Sequence, residues 1–250
     1  MGLGRGALVE VTVGDAPQGW SAIGFTVDGD GACRVGGVRI RLVGTGGRRG
    51  LLGWTLAGGP IDGRDTGDVC DVDGLPTILV TTAADARAAD ASAADATTAG
   101  GPGRGEPDPT AHPNGASALD HLVVVTPDLD RTTAALAALG LDARRTREAG
   151  RGRLQRFFRL GEVILEVVGP VEPSGDGPAT FWGLAFTVAD IDATAAHLGD
   201  RAGPPRPAVQ PGRRISTLRK GDATGGVSVP VAFMSPYDRA RPGGAPGQRL

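Results

Sequence analysis

The chain has 250 residues, of which 40% are apolar, enough for one large or two modest domains. Its formal net charge of -2 gives no electrostatic pull toward nucleic acid or an anionic membrane, and no apolar run approaches the roughly 20 residues of a spanning helix. Aromatics make up only 4%, so Val, Leu, Ile and Ala must fill the core. The opening MGLGRGALVE lacks the apolar stretch of a signal peptide, and it lacks the Ser or Thr at position 6 that myristoylation needs. Cys33 and Cys70 belong to no CxxC motif or regular framework. Together these features predict a cytoplasmic protein with two reduced thiols.

In chain order, ALVEVTV (7–13) reads as a strand and QGWSAIGF (18–25) as a stub of helix. VRIRLVG (38–44) and GLLGWTLAG (50–58) read as strands, followed by a Gly/Asp-rich loop from Gly58 to Leu75 and a last apolar run, LPTILV (75–80). This first block, 7–82, is too short of elements to bury a good core alone and is expected to pack on the rest of the chain. Residues 83–117 carry almost no large apolar side chains and read as a disordered Ala/Gly/Pro-rich linker that includes His112. The tail 237–250 has the same character.

The second block, 118–236, is fuller. LDHLVVVT reads as a strand. PDLDRTTAALAALG reads as a helix capped by Asp128 or Asp130, ended by Gly140, with Leu129, Leu136 and Leu139 on its apolar face. LDARRTRE, RLQRFFRL and VILEVVG read as strands, then FWGLAFTV as another. ADIDATAAHLG reads as a second helix with Asp190 as cap and Gly199 as stop, placing His197 on the surface. RPAVQ, RISTLRK and VSVPVAFMS complete the set. The order βαβββ, βαβββ predicts an α+β fold with a mixed sheet rather than a doubly wound parallel one.

The two blocks share faded copies in the same order. VGGVRIRLVG matches LGEVILEVVG, LLGWTLAGGPID matches FWGLAFTVADID, and LPTILV matches VPVAFM. That pattern indicates duplication followed by deletion.

LDHLVVVTPDLDRT, VILEVVGP, FWGLAFTVADID and VSVPVAFMSP together resemble the glyoxalase-like, vicinal oxygen chelate superfamily, which includes bleomycin-resistance-like proteins and dioxygenases. The resemblance covers 118–236 well and 7–82 faintly. It implies paired βαβββ modules curled into a cup that usually holds a divalent metal on four strands. Two of those four positions carry donors here, His121 and Glu166. Gly183 and Ala232 (or a neighbour) stand where the others are expected. In the first block the equivalents are Leu8 or Glu10, Arg41, Gly53 and Ile78.

A catalytic zinc keeps three protein ligands, and facial-triad iron needs two His and a carboxylate, so one His and one Glu fall short of both. The expectation is therefore a small-molecule-binding cup whose metal site is incomplete or absent, with zinc, nickel, manganese or iron as the candidates for any metal held. The side-chain period of two places His121, Val123 and Val125 on one face, and Ile164, Glu166 and Val168 on another. If both faces line the cup, His121 and Glu166 meet there as a ligand anchor, a general acid–base pair or a relic. Val123, Ile164, Trp182, Ala185 and Ala232 are the candidate ligand-contacting wall residues. The alternatives are a metal-dependent lyase, isomerase or extradiol-type dioxygenase, and a structural or interaction protein with a filled cup. The arginines from Arg144 to Arg159 read as a solvated sheet face or, alternatively, an anion-binding one. The eroded half-copy takes the place of a second subunit, which makes a monomer as reasonable an expectation as a homodimer.

Overall fold

The computed structural model describes residues 6–44, 46–58, 67, 69–82, 112–220 and 226–237. The chain begins with β1 (Ala7–Val13), α1 (Pro17–Ala22), β2 (Ala32–Val35), β3 (Val38–Leu42), β4 (Leu51–Ala57), β5 (Val69–Val72) and β6 (Leu75–Val80). The second half carries β7 (Ala116–Val125), α2 (Leu129–Ala137), β8 (Arg145–Gly150), β9 (Arg153–Leu160) and β10 (Val163–Pro170). It then repeats the plan with β11 (Thr180–Val188), α3 (Ile191–Leu198), β12 (Arg206–Pro207), β13 (Arg214–Thr217) and β14 (Val231–Met234). The fold is α+β, with βαβββ twice in the second half.

Local chemistry explains these elements. Strand β10, VILEVVGP, buries every second residue, the signature of a strand with two unlike faces. The Asp128 carboxylate accepts from Arg131 N at 2.9 Å and caps α2, whose buried face is Leu129, Thr132 and Leu136. Asp190 does the same for α3 by accepting from the Asp192 and Ala193 amides, and Gly199, at φ 54°, ends that helix.

The strands form an eight-stranded sheet ordered β12-β13-β14-β11-β7-β10-β9-β8 and a six-stranded sheet ordered β2-β3-β1-β4-β6-β5. Among the described residues, the smaller sheet has the order of the larger one without its outermost strand on each side. In both, the central pair is antiparallel (β7 with β11, β1 with β4), and each member has a parallel neighbour (β10 and β14, β3 and β6). The matched sequence segments fall on β3 and β10, β4 and β11, and β6 and β14.

Two strands of the smaller sheet differ from expectation. Strand β5 lies in the stretch read as loop from Gly58 to Leu75, and β2 was not anticipated. Each is only four residues long, too short to develop a period against its Gly- and Asp-rich flanks. Segments 83–111 and 238–250, read as linker and tail, lie outside the described residues.

Residues 112–117 correct the expected linker boundary. Strand β7 begins at Ala116, and His112 and Asn114 are buried. His112 Nδ1 accepts from Thr26 N at 3.0 Å, so the ring proton sits on Nε2, which donates to the Arg34 carbonyl at 3.1 Å. Burial, opposed by the Arg34 carbonyl and Asp28, lowers the pKa of this imidazole.

The halves share one continuous core. Trp54 meets Phe181 edge-on at 5.3 Å, and Phe25 lies 4.9 Å from Phe186 and 6.2 Å from Phe233. Polar ties reinforce it. Asp15, fully buried, accepts from Trp20 Nε1 and from both Ser228 N and Oγ. Asp73 accepts from Arg131 Nε at 2.7 Å and from Thr132 Oγ1 in α2. Cys33 and Cys70 sit in this core and are not joined in a disulfide. Burial, aided by Asp28 and Asp30, pushes the Cys33 thiol up to about 12.

Candidate functional site

The four central strands share one irregularity. Between β7 and β11, Asp120 and Trp182 are each an extra residue with no cross-strand partner. Between β1 and β4, Val9 and Leu52 hold the same places. Each bulge twists its strand locally and redirects the side chains beside it. The ladder pairs Val123 with both Glu166 and Gly183, and Ala185 with both His121 and Ala232. A pseudo-twofold therefore relates His121 to Gly183 and Glu166 to Ala232. In the smaller sheet the same pairing selects Glu10, Arg41, Gly53 and Ile78, which settles the choice between Leu8 and Glu10 in favour of Glu10.

A cavity of about 540 Å³ opens on the concave side of the larger sheet. His121 and Glu166 both line it, as do Val123, Trp182, Ala185 and Ala232. Ile164 shares a face with Glu166 but is not among the lining residues. Other apolar wall comes from Val125, Val168, Leu184, Ile215, Pro230 and Val231. Trp182, 50% exposed, stands at the solvent side, whereas Trp20 and Trp54 are buried in the shared core.

His121 and Glu166 do not bond each other; each has its own support. His121 Nδ1 lies 3.0 Å from Asp120 Oδ1. The other Asp120 oxygen accepts from Arg213 Nη2 at 2.6 Å and Thr187 Oγ1 at 2.8 Å. Burial pushes the Asp120 pKa up, but the His121 and Arg213 hydrogen bonds and charges outweigh it and hold the carboxyl well below its ordinary range. An ionised Asp120 can only accept, so Nδ1 carries the proton, and in the neutral ring Nε2 is left as an acceptor beside the cavity. Arg213 is itself locked, with its side chain fully buried, Nε donating to the Ser235 carbonyl at 2.8 Å and its guanidinium 4.3 Å from the Tyr237 ring centroid. Glu166 accepts from Gln155 Nε2, and the Gln155 oxygen accepts from Arg147. Burial raises the Glu166 pKa, with the charges of His121 and Arg147 pulling the other way.

Sequence reasoning missed Asp120, Gln155 and Arg213. Asp120 stands next to His121, but only the bulge makes adjacent side chains partners, and no local pattern announces a bulge. Arg213 lies 93 positions from Asp120, beyond the reach of any spacing rule.

The donors do not fit a divalent metal. Among the described residues no group of three or more His, Cys, Asp or Glu converges as a ligand set. At Gly183 a Cβ would stand 2.8 Å from the Pro230 carbonyl oxygen, which also accepts from Leu184 N at 2.9 Å and is held in place. Any side chain at that position must displace this backbone carbonyl. Ala232 offers only a methyl group, and Asp120 is committed to Arg213 and Thr187.

Residues 120–216 match the model of the Glyoxalase/Bleomycin resistance protein/Dioxygenase superfamily. The resemblance carried by LDHL, ILEV and FWGL is borne out over that region. The chain is also similar to solved structures: methylmalonyl-CoA epimerase from Mycobacterium tuberculosis (19% identity, 50% of this chain and 91% of that one, TM-score 0.38) and a variant of the Streptomyces coelicolor epimerase in complex with 2-nitronate-propionyl-CoA (23%, 51% and 99%, 0.39). A hypothetical protein from Bacillus halodurans C-125 is similar at 17% identity over 50% of this chain and 97% of that one, with a TM-score of 0.39. No curated protein matches the chain.

Below the glyoxalase-like cup, the smaller sheet treats its equivalent positions differently. Glu10 Oε2 accepts from Arg39 Nη1 at 2.7 Å and Oε1 from Arg41 Nε at 3.0 Å, while Arg41 Nη2 donates to Thr12 Oγ1. The Glu10 side chain is 9% exposed and that of Arg39 12%. Here the paired charges occupy the positions that His121 and Glu166 hold beside the open cavity. Val9, at the place of Asp120, joins Ala57, Ile78 and Val80 in a small apolar cluster.

Proposed function

We propose that this is a cytoplasmic protein that holds a small organic molecule in the cup of its glyoxalase-like domain, without a resident metal, as a monomer in which the smaller sheet packs where a second subunit would. The observation that carries this reading is a 540 Å³ cavity with mostly apolar walls and two inner polar groups, His121 and Glu166. Volumes of this size suit small-molecule ligands, and a few fixed polar groups among apolar walls set orientation. His121 Nε2 accepts a hydroxyl or N–H of the ligand, and Glu166 supplies a second hydrogen-bonding group. A metal-dependent lyase or dioxygenase is disfavoured because two donors are too few.

The test is a thermal-shift screen of small organic molecules against the wild type and Ala232→Phe, whose ring fills the cup. The expected result is compounds that raise the melting temperature of the wild type and not of the variant. His121→Ala should weaken those compounds about tenfold, the loss of one hydrogen bond to a partly buried ring. Compounds that stabilise both proteins equally, or none at all, would sink the reading. About one divalent ion per purified chain, lost in His121→Ala, would overturn its metal-free part.

Acid–base catalysis on the bound molecule is a second reading, favoured by the Asp120–His121 pair. An ionised carboxylate behind Nδ1 orients Nε2 as a proton acceptor. Turnover abolished by both Asp120→Asn and His121→Ala, with binding retained, is the result it predicts.

A further inference from the structure

Charge around the cup is sorted by depth. The inner groups are Glu166 and, behind His121, Asp120, each with a side chain mostly out of solvent. Two arginines also line the cavity, Arg153 on β9 and Arg206 on β12, and both are exposed. They come from opposite modules of the sheet, with β10, β7, β11, β14 and β13 between their strands. Neither guanidinium makes an ion pair or hydrogen bond among the described residues. Of the neighbouring arginines, Arg144, Arg145, Arg151 and Arg159 are likewise without a side-chain partner among the described residues but do not line the cavity, and four others are paired. Arg147 donates to Gln155, Arg156 to Asp130 at 2.6 Å, Arg213 to Asp120 and Arg214 to Asp192 at 2.6 Å. Both cations at the cavity thus lack a counter-charge among the described residues.

We infer that the cup takes an amphipathic organic anion, its carboxylate, sulfonate or phosphate held between Arg153 and Arg206 at the solvent side. The apolar body lies against Val123, Val168, Leu184 and Val231, and an uncharged hydroxyl or amide N–H reaches His121 and Glu166. This assignment rests on the proposed binding function and narrows it to a ligand class. The orientation follows from Coulomb's law. An anionic end placed inward would face Glu166 and Asp120, while the same end placed outward meets two cations with free donor forks. The 540 Å³ volume accommodates such a molecule whole.

The probe is 8-anilinonaphthalene-1-sulfonate, an apolar ring system bearing one sulfonate, whose fluorescence rises in an apolar site. It is titrated into the intact chain and displaced by octanoate or by octanamide, which differ in charge and little in shape. Octanoate should displace it about tenfold more effectively, as expected for two partly exposed ion pairs. In the double variant Arg153→Gln/Arg206→Gln the two competitors should become equal, with the octanamide midpoint unchanged. Raising the salt concentration should erode the octanoate preference in the wild type. Equal competitors in the wild type, or a preference that survives the double variant, would overturn the anion assignment and leave the binding function standing. If neither competitor displaces the probe and Ala232→Phe leaves its fluorescence unchanged, the probe is not in the cup, and both the assignment and the binding function fail.

Discussion

The two sheets of this protein are the same construction put to opposite uses. Strand order, central pairing, bulge positions and even the Gly–Pro contact recur: Gly53 faces the Pro76 carbonyl as Gly183 faces that of Pro230, at 3.0 and 2.8 Å from where a Cβ would stand. On one face Glu10 is bonded between Arg39 and Arg41. The other stays open above His121 and Glu166. The difference is one of partners on the neighbouring strand. Glu10 has arginines on β3, whereas Glu166 has on β9 only Gln155, a neutral donor. The first carboxylate is matched by two charges, and the second is met by a neutral amide.

The hardest blow to this contrast is aimed at the smaller sheet. Glu10→Gln removes the carboxylate that pairs with Arg39, which also bonds Asp30, and with the one-third-exposed Arg41; breaking a largely buried pair from one side costs about 3 kcal/mol. Urea denaturation should show that loss, while Glu166→Gln at neutral pH should show none. A loss below about 1 kcal/mol for Glu10→Gln would mean that the ion pair decorates the smaller sheet rather than stabilising it.

The shared glycines give the next largest effect. Gly183→Ala and Gly53→Ala should each lose about 1–3 kcal/mol, because a Cβ meets a fixed backbone carbonyl, with Gly183 the worse of the two. Gly183→His should lose at least as much as Gly183→Ala and should not recruit zinc even alongside Ala232→Glu. A stable double variant that takes up one zinc per chain would show that the missing donors are an accident of sequence and not a steric consequence of the Pro230 contact.

Much of this architecture was legible beforehand, and the reasons are specific. The alternation of VILEVVGP and the Asp-capped, Gly-ended α3 are local signals, so β10 and that helix could be read directly. The repeat was legible because VRIRLVG and VILEVVG keep the same apolar frame. His121 and Glu166 were expected in one cup from the family resemblance, and the period of two supplied only the neighbours that share a face with each. The four-residue β2 and β5 were not legible, since neither is long enough to show a period. His112 was read as linker because its burial depends on Thr26 and Arg34, 86 and 78 positions away. Asp120 and Arg213 escaped for the same reason: their chemistry is made by a bulge and a tertiary contact.

The smallest effect separates the cups most cleanly. Burial holds the Glu166 pKa above its ordinary 4.5 in the folded protein. Between that ordinary value and the raised one, the folded chain binds more protons than the unfolded chain, so the wild type loses stability as pH rises through this window. The amide introduced by Glu166→Gln does not titrate. The stability of the wild type minus that of this variant should therefore fall with rising pH from about 4.5 and level off once Glu166 is ionised. Groups with a lowered pKa work with the opposite sign. Asp120 and His112 have folded pKa values below their ordinary ones, so their contributions are present at higher pH and are lost as pH falls. Both are common to the two proteins and drop out of the subtraction. A difference that stays flat across the window would put Glu166 in a setting no more costly than water. The open cup would then hold no uncompensated carboxyl for a ligand to relieve, and the two sheets would differ in shape alone.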